Sequence, residues 1–79
     1  MGEEELQLAP MHRIIKKAGS IAGKGDIRVS EDGAEELRKV LERVGIKISK
    51  EAIDFAVHAG RKTVKSEDIE IATKKVLKE

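Results

Sequence analysis

Between Ser30 and Gly60 the chain has no proline, and its apolar residues recur with helical spacing, which predicts one long helix. Most of these residues share one broad stripe: Ala34, Leu37, Val40, Leu41, Val44, Ile48, Ala52, Phe55, Ala56 and Ala59. A second, narrower stripe consists of Ile46, Ile53 and Val57. Such a helix is roughly 43 Å long, whereas a compact chain of this size is only about 30 Å across.

Shorter helices are predicted on both sides of the long one. Pro10 suits the first turn of a helix that Gly19 ends. Ser30 is a good N-cap for the long helix, and Ser66 repeats this signal for a last helix that ends near Leu77. The glycines between Gly19 and Asp26 predict an irregular loop. The chain is therefore predicted to be all-α.

The two short helices cannot cover both apolar stripes of the long one. A chain of 79 residues with no cysteine also needs a source of stability other than disulfides. We therefore expect an obligate homodimer in which the long helices cross. The alternative is an elongated three-helix monomer that leaves part of a stripe in water.

Composition excludes several classes of function. No catalytic constellation, cofactor motif or metal-ligand spacing is present, and His12 and His58 lie far apart. Phe55 is the only aromatic residue, which argues against single-strand binding by base stacking. No apolar run could span a membrane, so we expect a soluble, cytoplasmic protein. Without a catalytic constellation, we expect that it is not an enzyme. The absence of asparagine beside many charged residues is typical of thermophiles.

Four segments resemble archaeal histones in order and spacing: Leu8–Pro10, Arg13–Gly19, Arg28–Ser30 and His58–Ile69. The resemblance covers about residues 6–77. It implies a histone fold, in which two chains of short, long and short helices pair head to tail in a handshake. The implied organisation is a flexible acidic N-terminus over 1–7 and a single histone-fold domain over 8–79.

The first loop departs from the family pattern. Family members connect the first two helices by a much shorter link, so Ser20 to Ile27 amount to an insertion of about six residues at a place where chains tolerate extra length. We expect Ile21 and Ile27 to pack inward, with Lys24 at an exposed tip.

The resemblance implies sequence-tolerant binding, wrapping and compaction of double-stranded DNA by a chromosome-associated protein. The residues that it places at the DNA are Arg13, Lys16, Arg28, Lys62, Thr63 and Lys65, and Lys24 at the tip of the inserted loop is a further candidate. In the handshake, the first loop of one chain lies beside the second loop of its partner, which brings Arg28 near Lys62. The alternative for these residues is a solvated basic face, and Lys24 is the least certain of them. Three C-terminal lysines are expected to lie at the surface and to complement the helix dipole: Lys74, Lys75 and Lys78.

Two further pairs of residues have roles implied by the resemblance. Arg61 and Asp68 flank the second loop and are expected to form an internal salt bridge that fixes it. Phe55 and His58 are expected at a contact between dimers, where His58 would bond an acid of the neighbouring dimer, with Asp68 as the candidate.

Two alternatives keep the fold and change the role. In one, the dimer bridges or caps DNA without continuous wrapping, because the inserted loop alters the path of the DNA. In the other, the chain pairs with another histone-fold chain in a transcription assembly.

Overall fold

The computed structural model describes residues 7–78, which form three α-helices: α1 over Leu8–Ile21, α2 over Glu31–His58 and α3 over Ser66–Leu77. No strand occurs in this range. The predicted all-α order of short, long and short helices is confirmed. The predicted flexible acidic N-terminus lies outside the described residues, apart from Gln7, which is the N-cap residue of α1.

Helix α2 begins at the cap that the sequence predicts. The Oγ atom of Ser30 accepts a hydrogen bond from the backbone N–H of Gly33 at 3.1 Å. The same hydroxyl donates to the carboxylate of Asp32 at 2.7 Å. This bond lowers the pKa of Asp32 and keeps a negative charge at the positive end of the helix dipole.

Helix α1 ends two residues later than predicted, at Ile21. Gly19 is helical, and the stop comes from Gly23, which has a φ of +77°. The N–H of Gly23 donates to the carbonyl of Ser20 at 3.1 Å, and that of Lys24 donates to the carbonyl of Gly19 at 2.7 Å. These two bonds form a Schellman motif. The prediction was wrong because glycine inside a helix costs only about 0.5–1 kcal/mol, whereas positive φ ends the helix.

Helix α2 ends in the same way at Gly60, whose φ is +74°. The N–H of Gly60 donates to the carbonyl of Val57, and that of Arg61 donates to the carbonyl of Ala56, both at 2.9 Å. Here the predicted stop at Gly60 agrees with the structure. The motif delivers Arg61 directly to the start of the second loop.

Helix α3 starts one residue earlier than predicted, because its N-cap is Lys65 and Ser66 is already helical. The carboxylate of Asp68 accepts the backbone N–H of Lys65 at 2.8 Å. An acid three residues into the helix therefore does the capping that the sequence assigns to Ser66.

The described residues divide into two compact units, one that extends to Glu42 and one that begins at Arg43. The buried apolar residues of the first are Met11 and Ala34, and those of the second are Ala52, Ala56 and Ala72. No large side chain in the described range is fully buried. Each unit therefore has only a small core of its own.

The narrow stripe of α2 lies in solvent. Ile46 is 62% exposed, Ile53 48% and Val57 61%.

None of the three helices in residues 7–78 combines the length and the apolar content that a membrane span requires.

Candidate nucleic-acid interface

A two-point ion pair fixes the second loop, which joins α2 to α3. The guanidinium of Arg61 donates from Nη1 to Oδ2 of Asp68 and from Nη2 to Oδ1, each at 3.0 Å. Its Nη1 also donates to the backbone carbonyl of Thr63 at 2.8 Å. The structure thus brings together the two residues of the expected salt bridge and ties the middle of the loop to the same guanidinium.

Asp68 is the centre of this arrangement and is only 3% exposed. The hydrogen bonds from Arg61, and then the one from the N–H of Lys65, lower the pKa of Asp68. The same pair raises the pKa of Arg61. The capping role of Asp68 was not predicted, although an acid at the third helical position is a known signal for it.

The braced loop presents cations to solvent. Lys62, Thr63 and Lys65 are all exposed. The backbone carbonyl of Thr63 already accepts a hydrogen bond from Arg61. The hydroxyl of Thr63 can donate a hydrogen bond to a phosphate oxygen. Arg61 faces inward, so the ammonium groups of Lys62 and Lys65 are the charges this loop offers.

The first loop is an ordered turn that is held by its own backbone. Besides the Schellman bonds, the N–H of Ile27 donates to the carbonyl of Lys24 at 3.3 Å. A Cβ on Gly19 would lie 3.0 Å from that same carbonyl oxygen, so a larger residue there would force the turn to shift by a few tenths of an ångström. Lys24 and Arg28 are exposed at either end of this turn.

The expectation that Ile21 packs inward is wrong for the single chain. Ile21 is 79% exposed, because α1 continues through it and leaves it on the solvent side of the last turn. Ile27 remains 42% exposed, with its side chain near Gly19. The insertion therefore lengthens α1 by part of a turn before the loop begins.

Arg13 and Lys16 are exposed on α1 and lie three residues apart, on neighbouring positions of one helix face. They belong to the same unit as Lys24 and Arg28, whereas the second-loop cations belong to the other unit. Within residues 7–78 none of these predicted DNA-binding cations takes part in an ion pair.

Comparisons with known proteins agree with this arrangement of helices and loops. Residues 4–73 match the family model described as histone-like transcription factor (CBF/NF-Y) and archaeal histone. The chain belongs to this family. It is 50% identical over 70 residues to a subunit of the archaeal histone HAN1 of Thermococcus zilligii, covering 89% of this chain and 96% of that protein. It is 43% identical over 68 residues to probable archaeal histone 3 of Methanocaldococcus jannaschii, covering 86% and 92%.

Membership in the histone family supports a DNA-binding chromatin protein in general terms, and the family is in general not one of enzymes. The thermophile composition also agrees with relatives from Thermococcus and Methanocaldococcus. The resemblance inferred from the loop motifs is thereby confirmed.

In this histone-family chain, Phe55 is half-buried and His58 is exposed near the end of α2. The Nδ1 atom of His58 lies 2.9 Å from the carbonyl oxygen of Asp54, so this nitrogen carries the hydrogen and donates. The other ring nitrogen is the one that remains for a partner. Both oxygens of Asp68 already accept bonds within the chain, so a bond from His58 of a neighbouring dimer would add to these.

Proposed function

We propose that this chain binds double-stranded DNA as a homodimer with little sequence preference, and that dimers assemble along DNA and wrap and compact it. The observation that carries the proposal is the braced second loop. Its arginine is held inside by Asp68, while Lys62, Thr63 and Lys65 face solvent. Such a loop offers fixed positive charge and a hydroxyl to phosphates and offers little to distinguish bases.

The first loop completes the binding surface in this proposal. Arg28 of one protomer would lie beside Lys62 of its partner, at each end of a handshake dimer. A guanidinium favours the negative potential of the minor groove, whereas the loop lysines favour backbone phosphates. Arg13 and Lys16 would add phosphate contacts nearer the dimer centre, and Lys24 would add one from the inserted turn.

The need for a partner chain is supported by burial. Four of the five buried apolar residues in the described range are alanines, and the narrow stripe of α2 is exposed over Ile46, Ile53 and Val57. Exposed apolar strips of this kind mark interaction surfaces. A second copy whose long helix crosses α2 would cover apolar surface that α1 and α3 leave exposed.

A second candidate function is pairing with a different histone-fold chain. The family description includes transcription factors, and the HAN1 relative is named as one subunit of a histone. The two candidates differ in a simple test. A chain that is unfolded or aggregated alone, and that another histone-fold protein rescues, would contradict the homodimer.

The salt dependence of DNA binding tests the phosphate model. The logarithm of the binding constant should fall linearly with the logarithm of salt concentration, by about 0.9 for each neutralised phosphate. Lys62→Ala and Lys65→Ala should each lower this slope by about 1, whereas Lys39→Ala, an exposed lysine of α2 outside both loops, should leave it unchanged. Equal slopes for all three variants would contradict the assignment of the second loop.

Nuclease digestion of long duplex DNA loaded with the protein tests wrapping. A ladder of regularly increasing protected fragments is expected if dimers assemble along DNA. One short footprint would instead favour isolated or bridging dimers and would implicate the inserted turn. No protection at low salt would refute DNA packaging.

A further inference from the structure

A basic cleft lies between α2 and α3, within the unit that begins at Arg43. Its volume is about 340 Å³, and its lining consists of Lys47, Lys50, Glu51, Lys75, Val76 and Lys78. Lysines therefore outnumber acids by four to one in this lining. None of the loop residues assigned to DNA above lines the cleft.

One ion pair holds the cleft together. The Nζ atom of Lys75 donates to Oε1 of Glu51 at 3.0 Å, and this bond joins the last turn of α3 to the C-terminal half of α2. Glu51 thus offsets one lysine. Lys47, Lys50 and Lys78 take part in no other ion pair within residues 7–78, so the cleft keeps an excess of positive charge.

Helix-end electrostatics explains only part of this cluster. Lys75 and Lys78 lie at the C-terminal end of α3, where cations complement the helix dipole. Lys47 and Lys50 lie in the interior of α2, far from either end. They are three residues apart on one face, and like charges at this spacing repel. Their position beside the α3 lysines therefore favours an anionic ligand.

The position of the cleft separates it from the second loop. Helix α3 has 12 residues and is about 18 Å long, with the loop at one end and the cleft at the other. The exposed charged residues of α3 between the loop and the cleft are Glu67, Glu70 and Lys74. Acids outnumber lysines in this segment, so the positive charge is not continuous along α3. The loop and the cleft therefore form two separate positive patches.

We propose that Lys47, Lys50, Lys75 and Lys78 bind the phosphate backbone of a second DNA duplex, so that protein bound to one duplex through its loops also holds another. This inference rests on the proposed function. The inference adds a second binding site to that function, and it gives a reason for DNA bridging that does not depend on the inserted turn.

The test measures two quantities with the full chain: its affinity for one short duplex, from fluorescence anisotropy, and its capture of a labelled duplex by an immobilised one. Lys47→Gln with Lys50→Gln should lower capture about tenfold while changing single-duplex affinity less than about twofold. The capture step should also lose roughly two units of salt slope. Lys39→Gln with Arg43→Gln removes the same charge from α2 outside the cleft and is the matched control.

Glu51→Gln provides the opposite test, because it releases Lys75 from its ion pair and should increase capture. Equal capture by the cleft and control variants would refute the second site while leaving the proposed function intact. A parallel loss of single-duplex affinity in the cleft variant would also refute it, since the cleft would then contact the same duplex as the loops. If the unmodified protein binds no duplex at all, the proposed function itself fails. Circular dichroism of each variant shows whether the fold is retained.

Discussion

Gly23 and Gly25 lie two residues apart in the first loop and should respond in opposite directions to the same substitution. A Cβ at either position would meet no atom within 4 Å, so crowding does not distinguish them. Their backbones do, because Gly23 has a φ of +77° and Gly25 lies outside the left-handed region. The comparison therefore isolates the conformational requirement of the Schellman motif that ends α1.

The expected magnitudes follow from two opposing effects. A left-handed conformation costs an L-residue about 1–2 kcal/mol. Replacing glycine also restricts the unfolded chain, which stabilises the folded state by about 0.4–1 kcal/mol where the backbone is compatible. Gly23→Ala should thus lower the free energy of unfolding by about 1 kcal/mol net, and Gly25→Ala should raise it by about 0.4–1 kcal/mol.

Thermal unfolding followed by far-ultraviolet circular dichroism measures the difference. For a domain of this size, about 1 kcal/mol shifts Tm by roughly 4–8 °C, so a difference of about 1.4–2 kcal/mol between the two variants corresponds to roughly 6–16 °C. Protein concentration must be the same throughout, because association makes Tm depend on it. Gly60→Ala, at a φ of +74° and equally uncrowded, should behave like Gly23→Ala. A Gly23→Ala protein as stable as the unmodified chain would refute the reasoning.

Two further predictions concern the helix starts. Ser30→Ala should lower the free energy of unfolding, measured by urea titration, by about 1 kcal/mol, because Ser30 caps α2. Ser66→Ala should change it little, because Asp68 caps α3. Equal effects of the two substitutions would contradict this assignment of the caps. The lowered pKa of Asp68 means that its contribution to stability is fully present above its ordinary value of 3.8 and is lost as pH falls through the lower folded value. The stability of Asp68→Asn should accordingly fall less steeply in this acid range than that of the unmodified chain, and parallel acid titrations of the two proteins would contradict it.

Helix ends that depend on a single residue could be predicted from the sequence. The side chain of Ser30 caps the start of α2, and Gly60 adopts the positive φ that ends it, as predicted. The end of α1 was predicted wrongly because the sequence offers two glycines, Gly19 and Gly23, at which the helix could end. Only the fold shows that Gly19 accommodates the Lys24 carbonyl while Gly23 takes the positive φ.

Features that depend on two elements coming together were harder to predict. The spacing of Arg61 and Asp68 suggested their pair only through the resemblance, and nothing in the local sequence showed that Thr63 and Lys65 join the same network. The lysine cleft was missed because Lys47 and Lys78 are distant in sequence and meet only when α3 packs on α2. The convergence of the two loops requires a partner chain, so it stays a prediction.

In the second loop, the arginine has a structural role and the lysines are the proposed DNA contacts. A guanidinium forms two parallel bonds with a carboxylate, which is the geometry that Arg61 uses to lock Asp68 in place. An ammonium is a compact charge with no such directional pattern, and Lys62 and Lys65 present it outward. A loop built in this way can recognise phosphate anywhere along a duplex and gains nothing from a particular base. Arg28 is then the one guanidinium in the proposed two-loop surface, so any preference of these loops for groove shape should be lost with Arg28→Lys while binding through the lysines persists.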